Sequence, residues 1–154
     1  MAALYNHGKI KSMVSFTKGE GFGRPLLEFS ATGKPTLASG WSGHTDFLNK
    51  HGILLPGTLR NIHKSAVQQG MLVDGSKWFY VYENQAHLAL KEVHSNYKKV
   101  LKTTAKQKAY VKSNFSIEKA DELLAEIFDR YAANIPEPVA LQLPKLELPK
   151  LEKV

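Results

Sequence analysis

A glycine-rich loop between a strand-like segment and a helix-starting proline sets the strongest constraint on the fold. Residues 12–17 (SMVSFT) alternate around residues that favour β-structure, and residues 18–24 (KGEGFGR) contain three glycines. Pro25 then supplies the fixed φ and the missing N–H that suit the first turn of a helix, and the apolar pattern predicts that this helix continues until Gly33. This part of the chain is therefore predicted to form a strand, a tight loop and a helix.

The same order of elements recurs further along the chain. Residues 35–39 (PTLAS) predict a second short strand, residues 40–44 (GWSGH) a second glycine-bearing loop, and residues 45–48 a short helix. Residues 52–56 (GILLP) are strand-like, and residues 70–74 (GMLVD) predict another short strand or edge segment. Short strands that alternate with helices indicate a parallel sheet of βα units, and hence an incomplete Rossmann-like α/β fold.

Long amphipathic helices are predicted in the last part of this domain. Apolar residues recur at three- and four-residue spacing over roughly seventeen residues from Gln85, and a further turn or two is expected over residues 105–112. Ser116 is predicted to cap the last helix. The apolar face of that helix comprises Ala120, Leu123, Leu124, Ile127, Phe128 and Tyr131.

Folding is expected to stop near Asn134, so that residues 1–134 form one domain and residues 135–154 form an extended tail. Four of the seven prolines lie in the last twenty residues, and the pentapeptide LPKLE occurs there twice in succession. Each proline removes a backbone donor, which disfavours a helix or an inner strand. Two interpretations stay open: a disordered tail, or an extended arm whose leucines dock on a neighbouring subunit or partner.

Charge and composition exclude several classes of protein. The 154 residues carry 21 Lys and Arg against 14 Asp and Glu, a formal net charge of +7, which favours polyanionic or phosphorylated ligands in general. No zinc-finger or RNP-type pattern occurs, so that specific nucleic-acid binding is not expected. The absence of cysteine excludes disulfide scaffolds and Cys-ligated metals.

The histidines and the apolar runs complete these exclusions. The histidines lack metal-site spacing, so that each of them, His44 included, is expected to be exposed or hydrogen-bonded. No apolar run is long enough to span a bilayer, and no signal-peptide block occurs at the N-terminus. We therefore expect a cytoplasmic protein, or a component of a particle that is assembled in the cytoplasm.

The segment from Glu20 to Glu28 (EGFGRPLLE) carries the strongest chemical signal. Two carboxylates bracket seven residues that contain a glycine pair and the helix-starting Pro25. Gly21 and Gly23 permit close approach of the backbone to a ligand, and the free N–H groups of the first helical turn offer partial positive charge to a diphosphate. Glu28 is then placed to accept hydrogen bonds from ribose hydroxyls, while Glu20 faces whatever projects beyond the phosphate.

This segment resembles the Glu-(seven residues)-Glu signature of family 4 retaining glycosyltransferases of the GT-B type. Residues 31–39 are similar to the helix end, turn and strand that follow the signature, and residues 40–48 (GWSGHTDFL) resemble the next loop of the family. Phe115 and Ser116 are similar to the family's closing segment. The resemblance extends from about Ser12 to Tyr131 and corresponds to the C-terminal part of such an enzyme, the second half of its donor-binding domain.

The resemblance implies a donor site for a nucleotide sugar, such as a UDP- or GDP-sugar, without a metal or other cofactor. Glu20 corresponds to the catalytic-site glutamate near the donor sugar, and Glu28 to the glutamate that binds the ribose. The other implied donor-binding residues are Gly21, Phe22, Gly23, Arg24, Pro25 and Leu26. Backbone amides of this stretch are expected to face the sugar and the diphosphate, and Arg24 is expected to assist at the phosphate.

Two functional hypotheses from different classes follow. The family's acceptor domain, the first half of its donor domain and the Arg–Lys pair that grips the diphosphate have no counterpart here, which leaves enzyme activity undecided. The first hypothesis is the donor-binding portion of a retaining glycosyltransferase, completed by another chain. The second is a non-catalytic structural protein built on a glycosyltransferase remnant, such as a component of a viral or other large particle. Both require a partner chain, identical or different, that covers the open sheet edge.

Overall fold

The computed structural model describes residues 1–132, which form an α/β fold with helices interleaved between short strands. The first elements are α1 (Ala2–Asn6), β1 (Met13–Ser15), α2 (Arg24–Ser30), β2 (Thr36–Ser39), α3 (Thr45–Leu48), β3 (Ile53–Leu55) and β4 (Gly57–Asn61). They are followed by a 3-10 turn (Lys64–Ala66), β5 (Lys77–Val81), α4 (Glu83–Ser95), α5 (Tyr97–Asn114) and α6 (Ile117–Tyr131). The chain divides into one compact unit, Met1–Lys119, and a second unit that begins at Ala120.

Three short strands form a parallel sheet in the order β1-β2-β3. The register places Val14 beside Leu37, and Leu37 beside Ile53. β2 lies in the centre, and all four of its residues are buried. The connection from β1 to β2 carries α2, and the connection from β2 to β3 carries α3. The parallel sheet of βα units that the sequence predicts is therefore confirmed.

Helices cover both faces of this sheet, because successive residues of β2 point to opposite sides. Ala38 packs against α2 and α3, whereas Leu37 packs against α4 and the start of α5. The first core comprises Leu26, Ala38, Phe47 and Leu48, and the second comprises Leu37, Leu55, Ala86 and Val93. A layer of helices on each face is the arrangement that a buried parallel sheet needs.

Side chains of α5 bond to backbone groups that lie far away in the sequence. The Tyr97 hydroxyl donates to the Lys11 carbonyl (2.9 Å), and the buried Gln107 side chain donates to the Phe47 carbonyl (2.6 Å). Burial also raises the pKa of the Tyr97 hydroxyl. These bonds fix α5 to the segment before β1 and to α3.

An antiparallel hairpin of β4 and β5 follows the parallel sheet, and the sequence pattern does not predict it. The strand Gly57–Asn61 (GTLRN) contains one large apolar residue and shows no clear alternation. Residues 70–74 do not form the predicted strand or edge segment, since only a single bridge joins Gln68 and Leu72 there. Gly70 and Gly75 have positive φ values of 81° and 83°, which interrupt an extended run on either side.

The amphipathic stretch predicted from Gln85 is divided into two helices at Asn96. The backbone of Asn96 leaves the helical region (φ −117°, ψ 31°), and its side-chain amide donates to the Glu92 carboxylate (2.7 Å). Asparagine favours such interruptions because its amide forms local hydrogen bonds that compete with the helix. α5 then continues to Asn114, further than the predicted turn or two.

α6 begins after Ser116, as the sequence predicts. The Ser116 hydroxyl accepts a hydrogen bond from the Lys119 amide (3.2 Å), which is the bond of a helix N-cap. The Glu118 carboxylate accepts a hydrogen bond from its own backbone N–H and one from the Ser116 hydroxyl, and these bonds lower the pKa of Glu118. None of the fifteen residues of α6 is buried.

Two predictions lie outside the described residues. They are the end of the domain at residue 134 and the extended tail of residues 135–154, which contains both copies of LPKLE. Within residues 1–132, no helix is both long enough and apolar enough to cross a membrane.

Candidate functional site

The loop that carries Glu20 is held at the carboxyl end of the parallel sheet by the loop that follows β2. The Ser42 hydroxyl accepts a hydrogen bond from the Glu20 amide (3.0 Å) and donates to the Glu20 carbonyl (2.5 Å). The Gly43 amide donates to the same carbonyl (3.0 Å). The backbone of Glu20 is thereby fixed on both sides, while the residue itself stays partly exposed. Ligands of open α/β sheets bind outside this end of the strands.

Close packing of these two loops requires glycine at two positions. A Cβ at Gly43 would overlap the carbonyl oxygen of Gly21. Gly23 has a φ of +84°, and a Cβ there would lie 3.0 Å from Cβ of His44 and 3.3 Å from Cγ of Glu20. Gly23 therefore lets the side chains of Glu20 and His44 approach each other.

Ser42 has a strained backbone at the contact between the loops. Its φ is 90°, and no other non-glycine residue among the described ones has a positive φ. Such a conformation costs on the order of 1–3 kcal/mol and persists where surrounding contacts enforce it. Here the hydroxyl of Ser42 bonds to both backbone groups of Glu20, which offsets part of that cost.

Three buried polar atoms near the ends of β1 and β2 have no hydrogen-bond partner in the part of the chain that the structure describes. They are Oγ1 of Thr17, Oγ of Ser39 and Nδ1 of His44. Thr17 follows β1, and the pairing of Ser15 with Ala38 brings that strand end beside the end of β2. A buried polar atom without a partner costs about 1–3 kcal/mol, so that several of them at one sheet end call for an explanation.

His44 is fully buried, and its two ring nitrogens have different surroundings. Nε2 lies 2.6 Å from the Ser39 carbonyl oxygen, which only accepts, so that Nε2 carries the proton. In the neutral ring, Nδ1 is then an unprotonated acceptor. The expectation of an exposed or hydrogen-bonded histidine is met at Nε2 but not at Nδ1. The two loops and the end of β2 thus contain one buried acceptor, together with two buried hydroxyls that both donate and accept.

The residues predicted to contact a donor along α2 have different surroundings. Phe22 packs against Phe47, with ring centroids 5.4 Å apart, and against Phe115 at 6.3 Å. Leu26 is buried, and its amide donates to the Gly23 carbonyl (2.9 Å), so that this amide is already used within the turn. The exposed members of the predicted set are Gly21, Phe22, Arg24, Pro25 and Glu28.

Glu28 lines a cleft of about 490 Å³ between α1, α2 and α5. Lys108 and Lys112 of α5 line the same cleft, which therefore combines one carboxylate with two ammonium groups. Glu20 is not among its lining residues, so that the two glutamates do not share this cleft. The sequence predicts Arg24 as the cation of the site and does not predict the two lysines, because they follow Glu28 by eighty residues or more and no motif marks them.

The wall of this cleft on the α1 side is fixed by Lys34. Its ammonium group donates to the carbonyls of Tyr5 (2.6 Å) and His7 (2.9 Å). The ring of Tyr5 packs edge-on against Phe29 of α2, with centroids 5.5 Å apart. α1 therefore forms one wall of the cleft and is held to α2 and to the turn that follows α2.

The start of the glycine-rich loop is attached to the β4–β5 hairpin. The Phe79 amide donates to the Lys18 carbonyl (3.0 Å), and the Lys18 ammonium lies over the rings of Trp78 (4.6 Å) and Tyr80 (4.2 Å). Trp41, on the loop after β2, stacks on Phe79 at 6.1 Å between centroids. The hairpin thus supports both loops of the candidate site.

The described residues define an α/β protein in which two hydrogen-bonded loops lie at the carboxyl end of a parallel sheet. Buried polar atoms without a partner lie in and beside these loops. Among these residues, no three His, Asp or Glu side chains are grouped as for a metal ion. No protein-family model matches the chain, and no curated protein or solved structure is significantly similar to it. Function is therefore inferred from the site itself.

Proposed function

We propose that the chain is the donor-binding portion of a retaining glycosyltransferase and binds a nucleotide sugar at the carboxyl end of its parallel sheet. The observation that carries this proposal is the contact of the Glu20 loop with residues 42–44, beside three buried polar atoms that have no partner within residues 1–132. The order of motifs in the sequence, from EGFGRPLLE to GWSGHTDFL, supports it by resemblance.

The unpartnered atoms suit the hydroxyl groups of a sugar, which reach them when the two loops move apart, since all three atoms are buried. Nδ1 of His44 accepts, and the hydroxyls of Ser39 and Thr17 both donate and accept. A phosphate ester offers mainly acceptors and would leave Nδ1 of His44 without a donor. Sugar hydroxyls supply donors and acceptors on one rigid ring, and the adjacent carboxylate of Glu20 adds a further acceptor. We therefore assign the sugar of the donor to this sheet end.

The cleft beside Glu28 lies toward the amino end of β2, because Ala31 and Thr32 line it, and we assign to it the nucleotide, the part of the donor that extends along α2 away from the sugar. A carboxylate accepts hydrogen bonds from the two neighbouring ribose hydroxyls, and the ammonium groups of Lys108 and Lys112 attract phosphate. A volume of about 490 Å³ lies within the usual range for small-molecule sites. In this proposal, the two lysines take the part of the Arg–Lys pair that the sequence motifs lack.

The proposed reaction is transfer of the glycosyl group with retention at the anomeric carbon. The bond between that carbon and the diphosphate oxygen breaks, and the electron pair leaves with the diphosphate. The acceptor hydroxyl forms the new bond, and its proton passes to the departing diphosphate. Positive charge that is fixed near the leaving group lowers the barrier for this step. The acceptor site is supplied by another chain.

Calorimetric titration with UDP-glucose and GDP-mannose tests the proposal. We expect at least one of them to bind, and we expect Glu20→Gln and Glu28→Gln each to weaken binding about tenfold, as for loss of a charged hydrogen bond of roughly 1.5 kcal/mol. Asp74→Asn, which removes an exposed carboxylate from the loop before β5, is the matched control and should bind like the wild type. If neither nucleotide sugar binds the folded protein, the proposal is overturned.

A non-catalytic structural role is the second candidate, and the exposed apolar side chains of α6 favour it. Under this alternative, the chain assembles without nucleotide, and Glu20→Gln leaves assembly unchanged. Native mass spectrometry with and without UDP and GDP separates the two candidates. A complex that nucleotide stabilises supports the transferase, whereas a large assembly that is indifferent to nucleotide supports the structural role.

A further inference from the structure

α6 exposes an apolar face along its whole length. Its members are Ile117, Ala120, Leu123, Leu124, Ile127, Phe128 and Tyr131. The exposed fraction is 77 % for Ile117, 53 % for Ile127 and 63 % for Phe128, and none of the fifteen residues of the helix is buried. An amphipathic helix of this kind gains most of its stability when its apolar face is covered.

α6 is acidic, whereas the chain before it is basic. α6 carries five Asp and Glu against two Lys and Arg, a formal charge of −3. Residues 1–116 carry sixteen Lys and Arg against six Asp and Glu, a formal charge of +10. α5 alone contains six lysines and no acidic residue. The chain therefore contains both an acidic amphipathic helix and a surface of complementary charge.

A groove between α4, α5 and the start of β3 combines apolar walls with lysines. Ile53, Val93 and Val100 line it together with Lys50, Lys99 and one carboxylate, Glu92, which accepts a hydrogen bond from Asn96, and its volume is about 340 Å³. Both lysines are exposed. Such grooves bind amphipathic helices, whose apolar side chains enter the groove while charged side chains meet its edges.

We propose that α6 of one copy docks into this groove of a second copy, and that the reciprocal contact gives a twofold dimer. Leu124, Ile127 and Tyr131, spaced by three and four residues, form the stripe that enters the groove. Pairing of α6 with α6 would bring together two helices of charge −3, whereas docking in the groove joins opposite charges. The dimer does not depend on the proposed transferase function, because neither Glu20 nor Glu28 takes part.

Sedimentation velocity of the full chain over a hundredfold range of concentration tests the dimer. Ile127→Asp places a charge in the middle of the apolar face, and we expect it to raise the dissociation constant about tenfold or more. Ala125→Asp is the matched control, because it adds the same charge to the same helix about 200° away around the helix axis, and we expect it to leave the dimer intact. Lys99→Glu and high salt should each weaken the dimer.

A monomer at every concentration overturns the proposal, and so does an equal effect of the two aspartate substitutions. Circular dichroism of each variant establishes that the fold is retained. Because neither aspartate position is buried, the unit Met1–Lys119 is expected to stay folded in both variants.

Cysteine cross-linking then locates the contact, since the chain has no cysteine of its own. Thr103→Cys places a thiol in the groove, and Arg130→Cys places one beside the apolar face of α6. We expect a disulfide between copies in a mixture of the two variants and none in either variant alone. Cross-linking of Arg130→Cys with itself would indicate pairing of two α6 helices and would overturn the assignment to the groove.

Discussion

At the scale of single residues, two buried serines have opposite surroundings. The Ser30 hydroxyl donates to the Leu26 carbonyl (2.8 Å) and lies 3.3 Å from Oγ1 of Thr36. The Ser39 hydroxyl has no partner within residues 1–132, although both serines are fully buried. A bonded hydroxyl stabilises the fold by about 1 kcal/mol, whereas an unbonded one loses its hydration without compensation. Ser39 therefore resembles a residue that is retained for binding at the expense of stability.

We predict that replacement by alanine changes the free energy of unfolding differently at the two serines. Ser30→Ala should lower the free energy of unfolding by about 1 kcal/mol, while Ser39→Ala should leave it unchanged or raise it. Under the proposed function, Ser39→Ala should also weaken nucleotide-sugar binding. Urea unfolding measures the first effect, and calorimetric titration measures the second. An equal loss of stability in both variants would show that the Ser39 hydroxyl has a structural partner.

The sequence predicts Glu20 as a carboxylate on a loop at the end of the first strand, and it lies there. The contacts around the two glutamates are not predictable in the same way. His44 and Glu20 both pack around Gly23, and Lys108, eighty residues after Glu28, lines the same cleft as Glu28. A local motif specifies backbone conformation, but it does not specify which distant side chain faces it.

At the scale of elements, the first turn of α6 depends on a carboxylate as well as on a cap. The pKa of Glu118 is lowered because its carboxylate accepts hydrogen bonds from its own N–H and from the Ser116 hydroxyl. Because the pKa of Glu118 is lower in the folded state than in the unfolded state, the ionised carboxylate stabilises the first turn of α6 fully above pH 4.5, the ordinary pKa. This stabilisation is lost as the pH falls through the lower folded value.

We predict that the first turn of α6 loosens in acid through this carboxylate. NMR Cα shifts of residues 117–121, recorded from neutral pH downward, should move toward coil values in the wild type. They should move less in Glu118→Gln, which cannot gain a proton. In Glu126→Gln, which alters a residue beyond the first turn of the same helix, these Cα shifts should change with pH as in the wild type. If Glu118→Gln shows the full wild-type change, the carboxylate does not support this turn.

Prediction of elements succeeds where a segment's own residues determine its structure. β2 and α3 fall where the apolar run and the glycine-bearing loop place them. β4 instead depends on its partner strand, since a Cβ at Gly57 would overlap the Tyr80 carbonyl, and only the pairing with β5 makes this segment a strand. The break at Asn96 interrupts a continuous apolar period, which is why the period alone predicts one helix.

At the scale of the whole described fold, the Tyr97 hydroxyl joins α5 to the segment before β1 through the Lys11 carbonyl. Burial raises the pKa of this hydroxyl, so that folding favours its neutral form. The folded-state pKa lies above the unfolded one. The resulting stability is therefore full below the ordinary value of 10.0, and it is lost as the pH rises through the raised folded value.

We predict that Tyr97→Phe lowers the free energy of unfolding by about 1 kcal/mol at neutral pH, because one hydrogen bond is lost. The variant should also lose less stability than the wild type when the pH is raised above 10.0, since it has no phenol to ionise at that position. Urea unfolding at neutral and alkaline pH measures both effects. Tyr82→Phe, at an exposed site outside the proposed dimer contact, should behave like the wild type. If the free energy of unfolding of Tyr97→Phe falls as steeply above pH 10.0 as that of the wild type, groups other than Tyr97 cause the decline.

The hydrogen bonds of α5 also constrain the order in which the chain can fold on the ribosome. Tyr97 bonds to a carbonyl 86 residues earlier, and Gln107 to one 60 residues earlier. At about 5–20 residues per second, synthesis of those 86 residues takes roughly 4–17 s. In the later part of that interval, once β3 has been made, the Leu37 face of the sheet lacks its helical cover, because α4 and α5 have not yet emerged. The nascent chain thus exposes an apolar β-surface, accessible to chaperones, for several seconds. This surface is buried once α5 has left the ribosome and packs on the sheet.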